Sequence, residues 1–366
     1  MKRRIIIISL LSLAFLGTIA MRSYSTITPI TLCKPIGTAT PICGWQNPED
    51  MAILPDGQNV IVSEYGGQNG EMTGTLALLD LETNLRQVLY SGGSGLSRGD
   101  WGQQECTETS QQAFSPHGIH LSERTDGRLQ LMVVQHRNRE SIEIFEVLRA
   151  QGSWILSWRG CVIAPEKSML NDVAGTPEGG FFVTHMMPRQ SNMFAMFAEY
   201  MKSSLFNLKS GYVLAWSKDE GFRQLMSSEG TVANGIEISS DGNTLFVNYS
   251  AGGELRRINV QKDLIEASNS SLPPLDNITW TPDGQLIVAA GLANAFSMMS
   301  CTGLQKGNCP GAFALIELDP TTLEGQSIYE GGEGTPSGAG TVGLKMPDNT
   351  LLIGTFAGDR IVKVKP

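Results

Sequence analysis

The sequence of 366 residues predicts an all-β fold, a six-bladed β-propeller with a helical lid-like insertion, on three observations. A short pattern recurs six times: a polar pair or small polar residue, three or four mostly apolar residues, a turn reading Pro/Ser-Asp/Glu-Gly/Asn, then an apolar strand. The copies begin at residues 49, 117, 171, 234, 276 and 341, intervals of the order of the roughly 40–50 residues of a four-stranded blade, lengthened by loops. Glycine is abundant at 41 residues and only 17% of residues are charged, as expected of an all-β chain rich in turns.

The copies follow one another in order. Glu49-Asp50-Met-Ala-Ile-Leu-Pro-Asp56-Gly57 leads into a strand over 59–63, and His117-Gly118-Ile-His-Leu-Ser turns at Thr125-Asp126-Gly127. Asn171-Asp172-Val-Ala-Gly-Thr-Pro-Glu178-Gly179 leads into 181–184, and Asn234-Gly235-Ile-Glu-Ile-Ser-Ser-Asp241-Gly242 into 244–248. Asp276-Asn277-Ile-Thr-Trp-Thr-Pro-Asp283-Gly284 leads into 286–290, and Thr341-Val342-Gly-Leu-Lys-Met, through Pro347-Asp348-Asn349, into 351–354. Asp-Gly or Asp-Asn between apolar runs marks a hairpin, because such turns need positive φ, which Gly and Asn tolerate. One closed ring accommodates residues 26–366 as a single propeller, and a strand near 35–42 pairing with the C-terminal strands would remove its open edge.

Two segments stand outside the repeat. Met193, Phe194, Met196, Phe197, Tyr200, Met201, Leu205 and Phe206 recur at helical spacing in a run without Pro or Gly, inside an insertion of about 186–210. Such a helix either packs on the propeller or forms a lid over the channel mouth, shaping an apolar substrate pocket and touching membrane or lipid. The N-terminus reads Met-Lys-Arg-Arg and then an apolar run from Ile5 to Ala20. That is a signal peptide or signal anchor over 1–25, with Thr18-Ile-Ala20 as a cleavage site. Either form exports the domain.

Six cysteines, at 33, 43, 106, 161, 301 and 309, fit an oxidising compartment. Cys301 and Cys309 bracket a short loop and are the first expected bridge; Cys33 with Cys43 and Cys106 with Cys161 are what remains. Asn248 and Asn269 sit in glycosylation sequons, as does Asn277. The net charge of −9 and the lack of a basic stripe argue against nucleic acid, and no phosphate loop or dinucleotide fingerprint occurs.

The residues before the turns are unusual. A strand start favours Val, Ile or Thr, whereas four copies open with Glu-Asp, Asn-Asp, Asn-Gly and Asp-Asn. The first strand of each blade lines the central channel, so these carboxylates and amides converge on one axis, where they would repel and desolvate one another unless a cation sat among them. Oxygen-only ligands mixing carboxylates and amide carbonyls suit Ca²⁺, and no Cys or His pair stands at zinc spacing. One such pair alone would be a capped turn; four in one register point to a cation site. Of the four histidines, 117, 120, 136 and 185, His117 occupies the polar-pair register itself. Beside a cation its imidazole stays neutral, the form a general base requires, and His136 at the end of the next strand is placed to orient it or relay its proton.

Asn47-Pro-Glu49-Asp50, Pro116-His117-Gly118-Ile119, Met132-Val-Val-Gln-His136, Leu170-Asn171-Asp172, Ala233-Asn234-Gly235-Ile236, Leu275-Asp276-Asn277-Ile278 and Leu351-Leu-Ile-Gly-Thr355 occur in that order. Together they resemble the paraoxonase/arylesterase family, from about residue 45 to the end, with the SMP-30/gluconolactonase group as a more distant relative. The resemblance implies a six-bladed propeller with two channel calcium ions that hydrolyses lactones and aryl esters. It implies Glu49, Asn171, Asn234, Asp276 and Asn277 as ligands of a catalytic calcium. Asp50, Asp172 and the backbone carbonyl of Ile119 would hold a deeper, structural one, and His117 and His136 would form a histidine dyad. The expected substrate is a small apolar lactone or ester, attacked by water that His117 deprotonates with His136 behind it. Asp276 is the alternative nucleophile, and no Gly-x-Ser-x-Gly elbow is present.

Two departures stand out. Ala289-Ala-Gly-Leu-Ala-Asn294 lacks a histidine that vertebrate paraoxonases carry, which alters the pocket wall. The C-terminal Ile361-Val-Lys-Val-Lys-Pro366 lacks the cysteine of the family's end-to-end disulfide. The competing reading is a non-catalytic, calcium-stabilised propeller that binds ligands or proteins; the histidine dyad, which a structural ion does not need, favours catalysis.

Overall fold

Six antiparallel sheets of four strands stand around a common axis in the computed structural model, which describes residues 27–67, 72–93, 101–109, 113–304 and 306–365. The leader expected over 1–25 lies outside the described residues. After β1 (Ala39–Cys43), blade one comprises β2 (Pro48–Ile53), β3 (Asn59–Glu64), β4 (Thr75–Asp80) and β5 (Arg86–Tyr90). Blade two holds β6 (Pro116–Glu123), β7 (Leu129–Gln135), β8 (Ser141–Ala150) and β9 (Ser153–Ile163); blade three holds β10 (Ser168–Gly175), β11 (Phe181–Pro188), β12 (Gly211–Ser217) and β13 (Gly221–Gly230). Blade four is β14 (Ala233–Ile238), β15 (Thr244–Tyr249), β16 (Glu254–Asn259) and β17 (Leu264–Asn269). Blade five is β18 (Leu275–Trp280), β19 (Leu286–Gly291), β20 (Phe313–Leu318) and β21 (Gly325–Gly331). Blade six combines β22 (Gly340–Lys345), β23 (Leu351–Thr355) and β24 (Arg360–Val364) with β1.

Local chemistry accounts for the hairpins. The turn residues Gly57, Gly127, Gly179, Gly242, Gly284 and Asn349 have φ between 63° and 87°, the left-handed region that other side chains resist. Each turn joins the innermost strand of a blade to the second. All six innermost strands also break register at the polar prefix: β2 between Pro48 and Asp50, β6 between Pro116 and Ile119, and β10 between Leu170 and Val173. In the other three blades the breaks fall between Ala233 and Ile236, Leu275 and Ile278, and Gly340 and Val342. The prefixes are β-bulges, whose residues leave the ladder and turn their side chains aside, so the low strand propensity of Asp, Asn and Gly costs little there.

The apolar core lies between blades. Leu54, Ile61 and Leu76 of blade one pack with Leu131, Val133 and Phe145 of blade two, and corresponding layers join every other pair of neighbours, including blades five and six. The axis is left to the polar bulges.

Ring closure takes the form expected from the sequence. β1 pairs antiparallel with β24 from Ala39↔Val364 to Cys43↔Arg360. The Arg360 side chain is 1% exposed and donates to the carbonyls of Ile30 and Leu32, each at 2.8 Å, so the segment ahead of β1 is also tied to the last strand. The bridges are Cys33–Cys43, Cys106–Cys161 and Cys301–Cys309. Helix α1 (Met193–Phe206) leaves blade three between β11 and β12, with Asn192 Oδ1 capping Ala195 N at 2.9 Å. A short α2 (Ala295–Met299) follows β19.

Candidate functional site

The bulges face the channel, and in blades one and three adjacent residues go to opposite ends. Glu49, Asn171, Asn234 and Asp276 line a cavity of about 530 Å³ at one mouth, together with His117 and His136. Asp50, Ile119 and Asp172 line a cavity of about 650 Å³ at the other. The residues expected at two separate ions are thus distributed between two mouths. Asn277 is buried between blades one and five, where its Nδ2 donates to Glu49 Oε1 at 3.0 Å. Thr341 is the sixth blade's contribution, its hydroxyl donating to the Glu49 carbonyl at 2.7 Å and fixing that bulge.

The donor set fits a hard cation. Four buried oxygens from four blades, Glu49 Oε2, Asn171 Oδ1, Asn234 Oδ1 and Asn277 Oδ1, have no hydrogen-bond partner among the described residues. Buried polar atoms are rarely left so, because each forfeits its hydration. Among the described residues no three His, Cys, Asp or Glu side chains come together at metal-holding distance. The set is completed by neutral amide oxygens, a mixture that matches Ca²⁺ better than Zn²⁺.

At the deeper end the carboxylates are held by backbone amides. Asp50 accepts from Met51 N at 2.8 Å and from Ile119 N at 2.7 Å; Asp172 accepts from Val173 N at 2.8 Å and Ile236 N at 2.9 Å. Two glycines make this possible. A Cβ on Gly118 would lie 2.3 Å from Asp172 Oδ1, and one on Gly235 would lie 2.5 Å from the Asp276 carbonyl.

Packing carboxylates together without a cation disfavours their charged forms. Burial, then the Glu49 charge, pushes Asp50 well above the usual carboxylate range; burial, then Asp50, does the same to Asp172. Asp276 is pushed up to about 8 by burial and by Glu49, against the lowering effects of His117 and Asn234. For His117 burial acts downward, yet the charges of Glu49, Asp276 and Asp50 outweigh it and lift the imidazole above its ordinary value. A cation among the same oxygens would oppose each of these shifts, favouring the carboxylates ionised and the imidazole neutral.

The two expected histidines meet. His117 Nδ1 lies 2.7 Å from His136 Nε2, His117 Nε2 lies 3.3 Å from Glu49 Oε1, and Tyr65 packs against both rings. The site extends further than the sequence pattern. His136 Nδ1 lies 2.9 Å from Glu140 Oε2, and Arg189 Nη1 lies 3.5 Å from Glu140 Oε1. His120 and His185 stand elsewhere: His120 Nδ1 accepts from Gly175 N at 3.1 Å near the second mouth, and His185 stacks on Tyr212.

Above the polar floor the first mouth is apolar. Met196, Phe197, Tyr200 and Met201 of α1 form one wall, and Met298 and Met299 of α2 contribute to another. Gly291, Ala293 and Asn294 also line it, so the segment lacking the vertebrate histidine borders the pocket. The sequons need correction: Asn248 is fully buried and donates to the Asp276 carbonyl at 2.6 Å, which removes it as an acceptor in the folded chain.

Among solved structures the chain is similar to a luciferin-regenerating enzyme, at 11% identity and a TM-score of 0.52 over 88% of this chain and 92% of that one, a likeness of fold. Weaker likenesses are to a putative gluconolactonase (11% identity, TM-score 0.48, 92% and 97% covered) and to regucalcin, a calcium-binding protein from Agrobacterium tumefaciens (13%, 0.47, 92% and 93%). No curated protein matches the chain in sequence. A family model described as Arylesterase matches residues 44–296.

Proposed function

The chain belongs to the arylesterase family, and on that premise we propose that it is a calcium-dependent hydrolase of small apolar lactones or aryl esters. The observation that carries this reading is the set of four partnerless oxygens on four bulges, set beside a histidine pair at the floor of an apolar cavity. Glu49, Asn171, Asn234, Asp276 and Asn277 would hold one calcium, and Asp50, Asp172 and the Ile119 carbonyl a second. Such an ion supplies Lewis-acid polarisation of the carbonyl and charge for the developing oxyanion. His117 takes the proton of the attacking water at Nε2, the ring nitrogen facing the ligand cluster. His136 stabilises the resulting imidazolium through Nδ1 of His117. The methionine and aromatic side chains of α1 and α2 seat the apolar part of the substrate and exclude bulk water.

Three disulfides suit an exported protein, in keeping with the leader read at 1–25. Phe194, Leu205 and Phe206 of α1 point outward, 71–75% exposed, and are the surface proposed to touch membrane or lipid.

Turnover of a lactone and aryl-ester panel, with and without chelator and repeated on His117→Gln, tests the activity. The expected result is hydrolysis that disappears with chelator, returns with calcium, and falls on the order of 100-fold or more in the variant. A calcium-loaded protein that turns over no member of a broad panel would instead be a binding propeller.

A further inference from the structure

Glu140 follows the turn Arg137-Asn138-Arg139 between β7 and β8, where Asn138 takes the left-handed conformation at φ 64°. That reversal folds the side chain back onto the residue four positions earlier. Both Glu140 oxygens lie within 3.0 Å of His136 Nδ1, and the two side chains are 8% and 10% exposed. The carboxylate is itself fixed: Arg189 Nη1 lies 3.5 Å away, and the same guanidinium donates to the His136 carbonyl at 3.2 Å.

We propose that Glu140 is a positioning residue that sets the tautomer of His136, so that His136 turns an unprotonated Nε2 toward His117. The inference rests on the hydrolase reading above for its catalytic meaning but not for its geometry. An ionised carboxylate only accepts, so His136 must carry its proton on Nδ1 and leave Nε2 as a lone pair. The partner 2.7 Å away, His117 Nδ1, must then be the donor. The other nitrogen of His117, Nε2, lies 3.3 Å from Glu49 Oε1 and faces the ligand cluster, so Glu140 decides the Nδ1 side of that ring alone. The partners of the ring nitrogens decide this, since the protons themselves are assigned from the network.

The proton balance closes without a further reactant. Water gives its proton to His117 Nε2 as its oxygen bonds to the acyl carbon. The His117 Nδ1 proton can then pass to His136 Nε2, and the His136 imidazolium is held against Glu140. Reversal of the transfer returns the proton to the leaving alkoxide or phenoxide. With the opposite tautomer His136 would donate to His117 Nδ1 and could not take its proton.

The test uses the full calcium-loaded protein labelled with ¹⁵N-histidine. Ring ¹⁵N spectra should show His136 protonated at Nδ1 with Nε2 free. In Glu140→Gln the amide can donate to His136 Nδ1, so His136 should switch to Nε2 protonation, and kcat should fall about 100-fold or more with KM changed by less than about threefold. Glu140→Asp keeps an acceptor at this place and should keep the wild-type ring signals, which covers the case of a Gln variant that does not fold. Wild-type His136 protonated at Nε2, a Gln variant whose kcat stays within about twofold of wild type, or inverted signals in Glu140→Asp would each overturn the proposal. The spectra need no substrate. Tautomers that switch in a protein hydrolysing none of the panel would support the relay while removing the hydrolase reading.

Discussion

Asp276 is the residue whose ionisation says most about the site. Its carboxyl, pushed up to about 8 by burial and by Glu49, is protonated at neutral pH when no cation is present. A carboxyl whose folded value exceeds its unfolded one near 3.8 stabilises the protein at low pH, and that contribution is lost as pH rises through about 8. The metal-free protein should therefore lose thermal stability as pH rises from about 4 to about 8, whereas calcium, which needs the ionised form, should remove that slope. Calcium added to the metal-free protein at pH 7 should release protons, and fewer at pH 9. Calorimetry in two buffers of different ionisation enthalpy measures this; a buffer-independent heat at pH 7 would contradict it.

At the scale of the element, the bulged inner strand is the device that converts a blade into a ligand arm. Its tightest point is Gly118 against Asp172, where a Cβ would come within 2.5 Å of Asp172 Cα, a backbone atom that cannot step aside. Gly118→Ala should cost about 1–3 kcal/mol of unfolding free energy, measured by denaturant titration, and should weaken calcium affinity along with it. The helical element makes a separate prediction. Replacing Phe194, Leu205 and Phe206 with Ser should abolish co-sedimentation with phospholipid vesicles while leaving turnover of a water-soluble ester intact, because none of the three lines the cavity.

What was legible in the sequence divides at the same scale. The Asp-Gly and Asp-Asn turns could be read because positive φ is a local demand written in residue type. The prefixes could be read because they recur in register. That they are bulges could not, since the extra residue emerges only when two strands are paired. Glu140 and Tyr65 lie outside the repeat, and their meeting with the histidines depends on chain reversals that residue type does not announce. Thr341 brings neither a carboxylate nor an amide to the sixth prefix, and only the pairing of blades shows its hydroxyl holding the Glu49 backbone.

For the whole molecule the question is how the ring stays shut without a covalent link between its ends. β1 supplies the fourth strand of blade six, and Arg360, buried where an unpaired charge would be costly, ties Ile30 and Leu32 to β24. Arg360→Ala should lower stability by about 3 kcal/mol and speed amide exchange first in residues 30–43, as followed by hydrogen-exchange mass spectrometry.

The bridge from Cys33 to Cys43 gives this closure a mechanical character. Ala39 and Val364 lie at the same end of the β1–β24 pair, so tension between the two termini would peel the strands apart one rung at a time, the weakest way to load a sheet. With the bridge intact, force from the N-terminal side passes through sulfur to Cys43, at the far end of β1, and the strand itself hangs slack outside the load path. A reductant in single-molecule pulling should therefore lower the force of the first rupture and add about 3.5 nm of released chain for the 10-residue step.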